Sequence, residues 1–343
     1  MTALLVVLAI GFAFSMGAHY TGACMGMPHA LRAIGARDAL LVMAPLTLIG
    51  AAIASHGVEH TVGHDLLTGG GLSVPGLVIV LAVAFGLTSA FNVVRVPTST
   101  IQILVFSVVG AGLAAGTGVH WATIGTLAAI WVTAPIAAGL LGYGLTRMLD
   151  LVPAIRVQAQ VTGDTSGGDT SGGGAAARTA GGPLAAGLIL VGGLASFTMG
   201  GNDVANATGS LVGTGTFSPL AAGLIGGLGL AAGVLTWGRP LLRKVAFDIV
   251  TVDRPMATAA QLVQAIVVLA AVAFGYFTSM NQALIGAMTG AGAARGRQAV
   301  HASALYGVLR GWLIGPGAAI ALGYAITWLV AATAGAQVLL AAR

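Results

Sequence analysis

Stretches of about 17–25 residues recur along this chain with almost no charge, the length a helix needs to cross a hydrocarbon core. They fall near residues 2–18, 38–55, 74–94, 121–146, 183–199, 219–237, 257–277 and 302–330. No soluble core of 343 residues requires that pattern, and a mean hydropathy of +0.96 with only 7% charged residues agrees with it. The expected fold is an all-α polytopic membrane protein with about 10–12 transmembrane segments. The 54 glycines suit helices that approach closely, because small residues replace the hydrophobic drive that lipid removes. A net charge of +5 does not point to nucleic acid here, since the Lys and Arg residues lie mostly in short loops where they set orientation. Cys24 is the single cysteine, so no internal disulfide forms. The first apolar stretch lacks a basic leader and runs on into other spans, and it reads as a helix rather than a cleaved signal.

Comparison of the chain with itself reveals a duplication. "FSMGAHYTGACMG" (14–26) aligns with "FTMGGNDVANATG" (197–209), and "TSTIQILVFSVVGAGLAAG" (98–116) with "TSMNQALIGAMTGAGAARG" (278–296). Trp131, Pro135, Gly142 and Tyr143 then match Trp312, Pro316, Gly323 and Tyr324. The expected organisation is a first repeat over 1–156, a flexible polar linker over 157–182 and a second repeat over 183–343. Arg32 and Arg37 follow the first span, whereas the matching loop 214–219 has no cation. "HGVEHTVGHD" (56–65) lacks Lys and Arg, while its counterpart 238–254 carries Arg239, Arg243, Lys244 and Arg254. Arg295 and Arg297 follow the second TS segment, and 117–120 is uncharged. By the positive-inside rule each loop lies opposite its partner, so the repeats are inverted, with both termini outside the cytoplasmic membrane and the linker inside. Inverted repeats place a transport site near the midplane between them.

One acid stands in the second signature. An ionised Asp at the bilayer centre costs roughly 2.5–3.5 kcal/mol, so Asp203 is expected to face a cavity and act there. Gly200 and Gly201 are expected to unwind the helix, so that a half-helix beginning near Asp203 offers N–H groups to an anion, with Asn202, Asn206 and Thr208 adding neutral contacts. Thr98, Ser99, Thr100 and Gln102, with Thr278, Ser279, Asn281 and Gln282, sit ahead of glycine-rich runs too short for comfortable spans. They read as tips of re-entrant or discontinuous helices whose hydroxyls and amides can hold a dehydrated oxyanion. His19 and Tyr20 align with Asn202 and Asp203 and are expected to line the same cavity. His56, His60 and His64 with Glu59 and Asp65 lack a closed ligand set, and a solvated outer loop is the simpler reading. "GRPLLRKVAF" reads as an interfacial helix, and Arg310 sits inside a span. No nucleophile–base pair, metal cluster or cofactor motif argues for an enzyme.

"GGNDVANATG" resembles the repeated GANDxAN-type signature of the inorganic phosphate transporter (PiT) family, and the TS segments resemble its paired PxSTTH-type hairpins. The resemblance covers nearly the whole chain. It implies a secondary active symporter of a tetrahedral oxyanion, with the site between the repeats, including Gly201, and with proton or sodium as the coupling ion. The first signature departs from the family pattern: Tyr20 stands in place of the acid, Ala23 in place of an Asn, and Gln102 and Gln282 in place of histidines. In this it is similar to the family's sulfate permease branch. Hydrogen phosphate can donate a proton to a carboxylate and sulfate cannot, so the loss of one acid leads us to expect proton-coupled sulfate uptake, with Asp203 carrying the proton. Coupled phosphate uptake is the alternative. A homodimer is left open.

Overall fold

The computed structural model describes residues 1–69, 71–153, 155, 182–242, 252–296 and 302–341. They form α1 (Thr2–His19), α2 (Thr21–Ala30), α3 (Ala36–Ala54), α4 (His56–His64), α5 (Val74–Val94), α6 (Thr100–Ala115), α7 (Trp121–Asp150), α8 (Pro183–Gly213), α9 (Pro219–Trp237), α10 (Arg254–Ala273), α11 (Met280–Arg295) and α12 (Ala302–Ala334). Among the described residues eight helices are long and apolar enough to cross a membrane, and they coincide with the eight apolar windows. This is a multi-pass, all-helical membrane protein. The expected linker lies outside the described residues except for Gly182, as does most of the expected interfacial helix, of which 238–242 is described as a turn.

Helices α6 and α11 are short. Each has 16 residues, about 24 Å at 1.5 Å per residue, which falls short of a hydrocarbon core of about 30 Å. They leave the centre in opposite directions. The segment after α6 pairs with the end of the α4–α5 connection, Thr68 N–H to Gly118 O at 2.8 Å and His120 N–H to Leu66 O at 3.1 Å. That face also holds the C-terminal segment, where Ser73 N–H donates to Leu339 O. The far end of α11 reaches the other face, where Arg295 bridges Asp150 at 2.8 Å and Asp253 at 3.0 Å. There too the Arg254 guanidinium donates to Leu31 O at 3.1 Å.

The closest helix pairs are crossed between the halves: α1 with α9, α3 with α8, α6 with α12 and α7 with α11. Glycine makes these contacts, as close approach in lipid requires. A Cβ on Gly17 would overlap the Leu230 carbonyl, and one on Gly200 would overlap the Thr47 carbonyl. Gly50 meets the Phe197 carbonyl in the same way, and Gly233 meets that of Phe14. Gly142 lies against Ala287 O and Gly323 against Ser107 O. Gly17 and Gly50 precede Gly200 and Gly233 by the offset of the two signatures, and Gly142 and Gly323 are a pair aligned in the sequence, so the close approaches recur at corresponding positions.

Two expectations fail here. Helix α8 does not unwind at Gly200 and Gly201; it is one helix from Pro183 to Gly213. The two glycines serve packing instead, since a Cβ on Gly201 would come within 2.7 Å of Ala54 Cβ. Nor is 56–65 a solvated loop, because 56–64 is helix α4 and it buries Glu59 completely against α8. Arg310, inside α12 as expected, lies 5.9 Å from the Tyr306 ring centre and faces outward.

Candidate ion site between two helix starts

Helix starts, expected at Asp203, stand instead at the beginnings of α6 and α11. Ser99 and Ser279 are their N-caps: the Ser99 hydroxyl accepts from Gln102 N–H at 3.4 Å, and that of Ser279 from Gln282 N–H at 3.3 Å. The S-x-x-Q spacing at both places is a capping signature. The first N–H groups of a helix lack intrahelical partners and form, with its dipole, an anion-binding end. Here two such ends start near one another, joined by the side chains between them.

Both extended segments ahead of these helices are held by the signatures. The Asn202 amide takes Thr278 twice, accepting from its N–H at 3.2 Å and donating to its carbonyl at 2.9 Å. In the other half, Thr98 N–H donates to His19 Nε2 at 3.3 Å. His19 Nδ1 donates to Asn92 Oδ1 at 2.6 Å, a tautomer set by Asn92 because its amide nitrogen is spent on Ser15 O. Nε2 therefore accepts, and the Thr98 carbonyl takes its hydrogen at 2.8 Å from Asn281, which reaches across from α11.

Tyr20 and Asp203 stand beside these clamps. The Tyr20 hydroxyl lies 2.9 Å from the Thr100 hydroxyl and interacts with the Asp203 carboxyl. With Thr100 donating to Tyr20, the Tyr20 hydrogen is left to point toward Asp203. Asp203 Oδ2 also accepts from Asn202 at 3.1 Å. Its Oδ1 has no partner among the described residues, and neither have the side-chain oxygens of Asn206, Asn281, Gln102, Gln282, Thr98 and Thr278. Every one of these residues is buried. A group of buried oxygens without protein partners can take a ligand or ordered water. Carboxylate, amide and hydroxyl oxygens suit a hard cation or a ligand hydrogen, and the helix starts suit an anion.

Asn206 opens this site to one face. It lies at the inner end of a cavity of about 480 Å³, lined by Leu66, Leu72, Leu77, Leu81 and Leu104 and reaching Ala341 on the face of the C-terminal segment. Thr208, expected with the others, points elsewhere: its hydroxyl is 3.0 Å from Glu59 Oε1. Gly201 contributes packing, as described above. Glu59, read in the sequence with His56, His60 and His64 as part of a solvated loop, is fully buried here. Burial pushes its carboxyl up to about 7, opposed by the hydroxyls of Thr208 and Ser55. At the other face, burial also raises Asp253, against the pull of the Met256 N–H and Arg295.

A family model described as the phosphate transporter family matches residues 16–323. The chain is 26% identical to the "Probable low-affinity inorganic phosphate transporter" of Mycobacterium leprae (strain TN), over 95% of this chain and 77% of that one. It is 24% identical to the "Sulfate permease CysP" of Bacillus subtilis (strain 168), over 94% of this chain and 86% of that one. A solved structure titled "The sodium-dependent phosphate transporter" matches with a TM-score of 0.81 at 22% identity, covering 96% of this chain and 99% of the other. At that identity the likeness concerns the fold.

Proposed function

The chain belongs to the phosphate transporter family, and from that premise we propose that it is a secondary active symporter of inorganic phosphate whose ion site is the group around Asp203. The observation that carries this reading is the unpartnered, buried Asp203 Oδ1 beside the starts of α6 and α11. An anion accepted by the helix starts still has to place its own hydrogen. Hydrogen phosphate has one to give to a carboxylate oxygen, and sulfate has none. The substrate contacts are Thr98, Ser99, Thr100, Gln102, Thr278, Ser279, Asn281 and Gln282, while His19 and Asn202 hold the segments that carry them. The coupling cation is assigned to Asp203 with the Asn206 and Asn281 oxygens, a ligand set that favours sodium. The proton remains the competing coupling ion.

Residues 1–156 and 183–343 are taken as inverted repeats around the linker 157–182. The grouping of Arg254 and Arg295 near one face, with Asp150 and Asp253, supports a cytoplasmic linker and outer termini. In that orientation the cavity above Asn206 is an outward vestibule, and the Arg295 network closes the inner side, as alternating access requires.

Sulfate is the second reading, favoured by Tyr20, which leaves the site with one carboxylate. Proteoliposomes given labelled phosphate under an inward sodium gradient, an inward proton gradient or none decide among these. Accumulation driven by sodium and displaced by phosphate far better than by sulfate is expected. Flux independent of any gradient would remove the symport reading, and sulfate uptake that phosphate fails to inhibit would install the second.

A further inference from the structure

Glu59 is a buried acid that the ion site does not use. It lies on α4, whose nine residues extend only about 14 Å and cannot cross a membrane. Thr61 ties α4 to the turn ahead of α11, donating to Gly275 O at 2.9 Å, and Val62 lines the vestibule. The Glu59 side chain is fully buried, and its Oε2 has no partner among the described residues.

Two hydroxyls face this carboxyl, and both have another acceptor. Ser55 Oγ donates to Ala51 O at 2.7 Å. Thr208 Oγ1 lies 3.0 Å from Val204 O and 3.0 Å from Glu59 Oε1. A hydroxyl has one hydrogen. When Ser55 and Thr208 spend theirs on helix carbonyls, only lone pairs face Glu59, and the carboxyl must supply the hydrogen. When Thr208 turns, its hydrogen supports a carboxylate. The site thus accommodates both protonation states with one rotation of a hydroxyl, and the raised carboxyl described above is the same property seen in its titration. Among the elements packed on α4, α8 brings Asp203, five residues before Thr208. Helix α9 brings no charged residue, and α10 brings Arg254 at its far start, bonded to Leu31 O. The chain at α4 itself carries His56, His60 and His64, followed by Asp65.

We propose that Glu59 is a proton-binding site separate from the Asp203 centre, exchanging with the vestibule beside Val62 and making uptake depend on external pH. The effect on uptake rests on the symport reading; the proton site does not. Infrared difference spectra of the purified protein in lipid, recorded while pH is stepped from 5 to 9, test the site directly. A protonated-carboxyl band that fades with a midpoint of about 7 is expected; its Glu59 part is lost in Glu59→Gln, stays in Asp203→Asn, and disappears when Glu59→Gln is added to Asp203→Asn. Thr208→Val removes the hydroxyl that supports the carboxylate and should move the midpoint upward. In proteoliposomes, the ratio of phosphate uptake at pH 6 to that at pH 8 should fall severalfold in Glu59→Gln relative to the unaltered protein, which also cancels the titration of phosphate itself. An unchanged band in Glu59→Gln, or a midpoint indifferent to Thr208→Val, overturns the proton site. Failure of uptake in every variant would count against the symport reading and leave the infrared result to stand alone.

Discussion

The α1–α2 junction and the middle of α8 occupy equivalent places in the two halves, and each holds the segment ahead of a short helix, but with different groups. Asn202 is both acceptor and donor, so one amide satisfies Thr278 N–H and C=O. His19 in its assigned tautomer can only accept at Nε2, and the Thr98 carbonyl is left for Asn281 of the other half. Next to them, Tyr20 offers a neutral hydroxyl where Asp203 offers a carboxylate. The placement is duplicated and the chemistry is not. One half became dependent on the other for its clamp, and the charge of the site was left to a single residue.

Substitutions can break or sharpen this comparison. The largest effect is expected from Asp203→Asn, which removes the one carboxylate of the group and should reduce gradient-driven phosphate uptake to background while the protein still purifies as a folded species. Tyr20→Phe removes one hydrogen-bonding hydroxyl, about 0.5–1.5 kcal/mol, and should lower uptake by no more than about tenfold. Equal losses from the two would mean that the halves contribute alike and that the asymmetry is only formal. Next comes the shared helix crossing. Gly17→Ala and Gly200→Ala each drive a methyl into a facing carbonyl and should each destabilise the fold by at least about 1–3 kcal/mol. Thermal unfolding in detergent reads this, and a large difference between the two would deny their equivalence. The smallest effects belong to the caps. Ser99→Ala and Ser279→Ala should each cost about 0.5–2 kcal/mol of stability. Their losses of phosphate affinity should be similar, if both helix starts face the same anion.

Glu59 adds a dependence on pH of its own. Burial pushes its carboxyl up to about 7 in the folded protein, from an ordinary value of 4.5. Folding therefore favours the protonated form. That contribution is complete below about 4.5 and is lost as pH rises through about 7, so thermal stability should fall between these values. Glu59→Gln should flatten that slope, and a slope that persists would place its origin elsewhere.

Much of this was legible in one dimension. Hydropathy is summed over neighbours in sequence, so the eight spans could be read with their ends displaced by only a few residues; the first and fifth windows closed early because the polar signatures dilute them, although the helices run on. The likeness of the two signatures and of the two TS segments is a property of the sequence itself, and Asp203 stands out in it because an acid in an apolar run is conspicuous. The tertiary structure decided the rest. Gly200 and Gly201 could equally have marked a break or a crossing, and only the position of α3 against α8 made them a crossing. That His19 and Asn202 bond the backbone of Thr98 and Thr278 follows from the fold and has no local signature. Glu59 belongs to a short polar stretch that reads as a loop, and its burial follows from α8 lying over it. A glycine, an amide or an acid has the same local signature whether it faces lipid, water or a neighbouring helix, and what it does is set by the partner that folding brings to it.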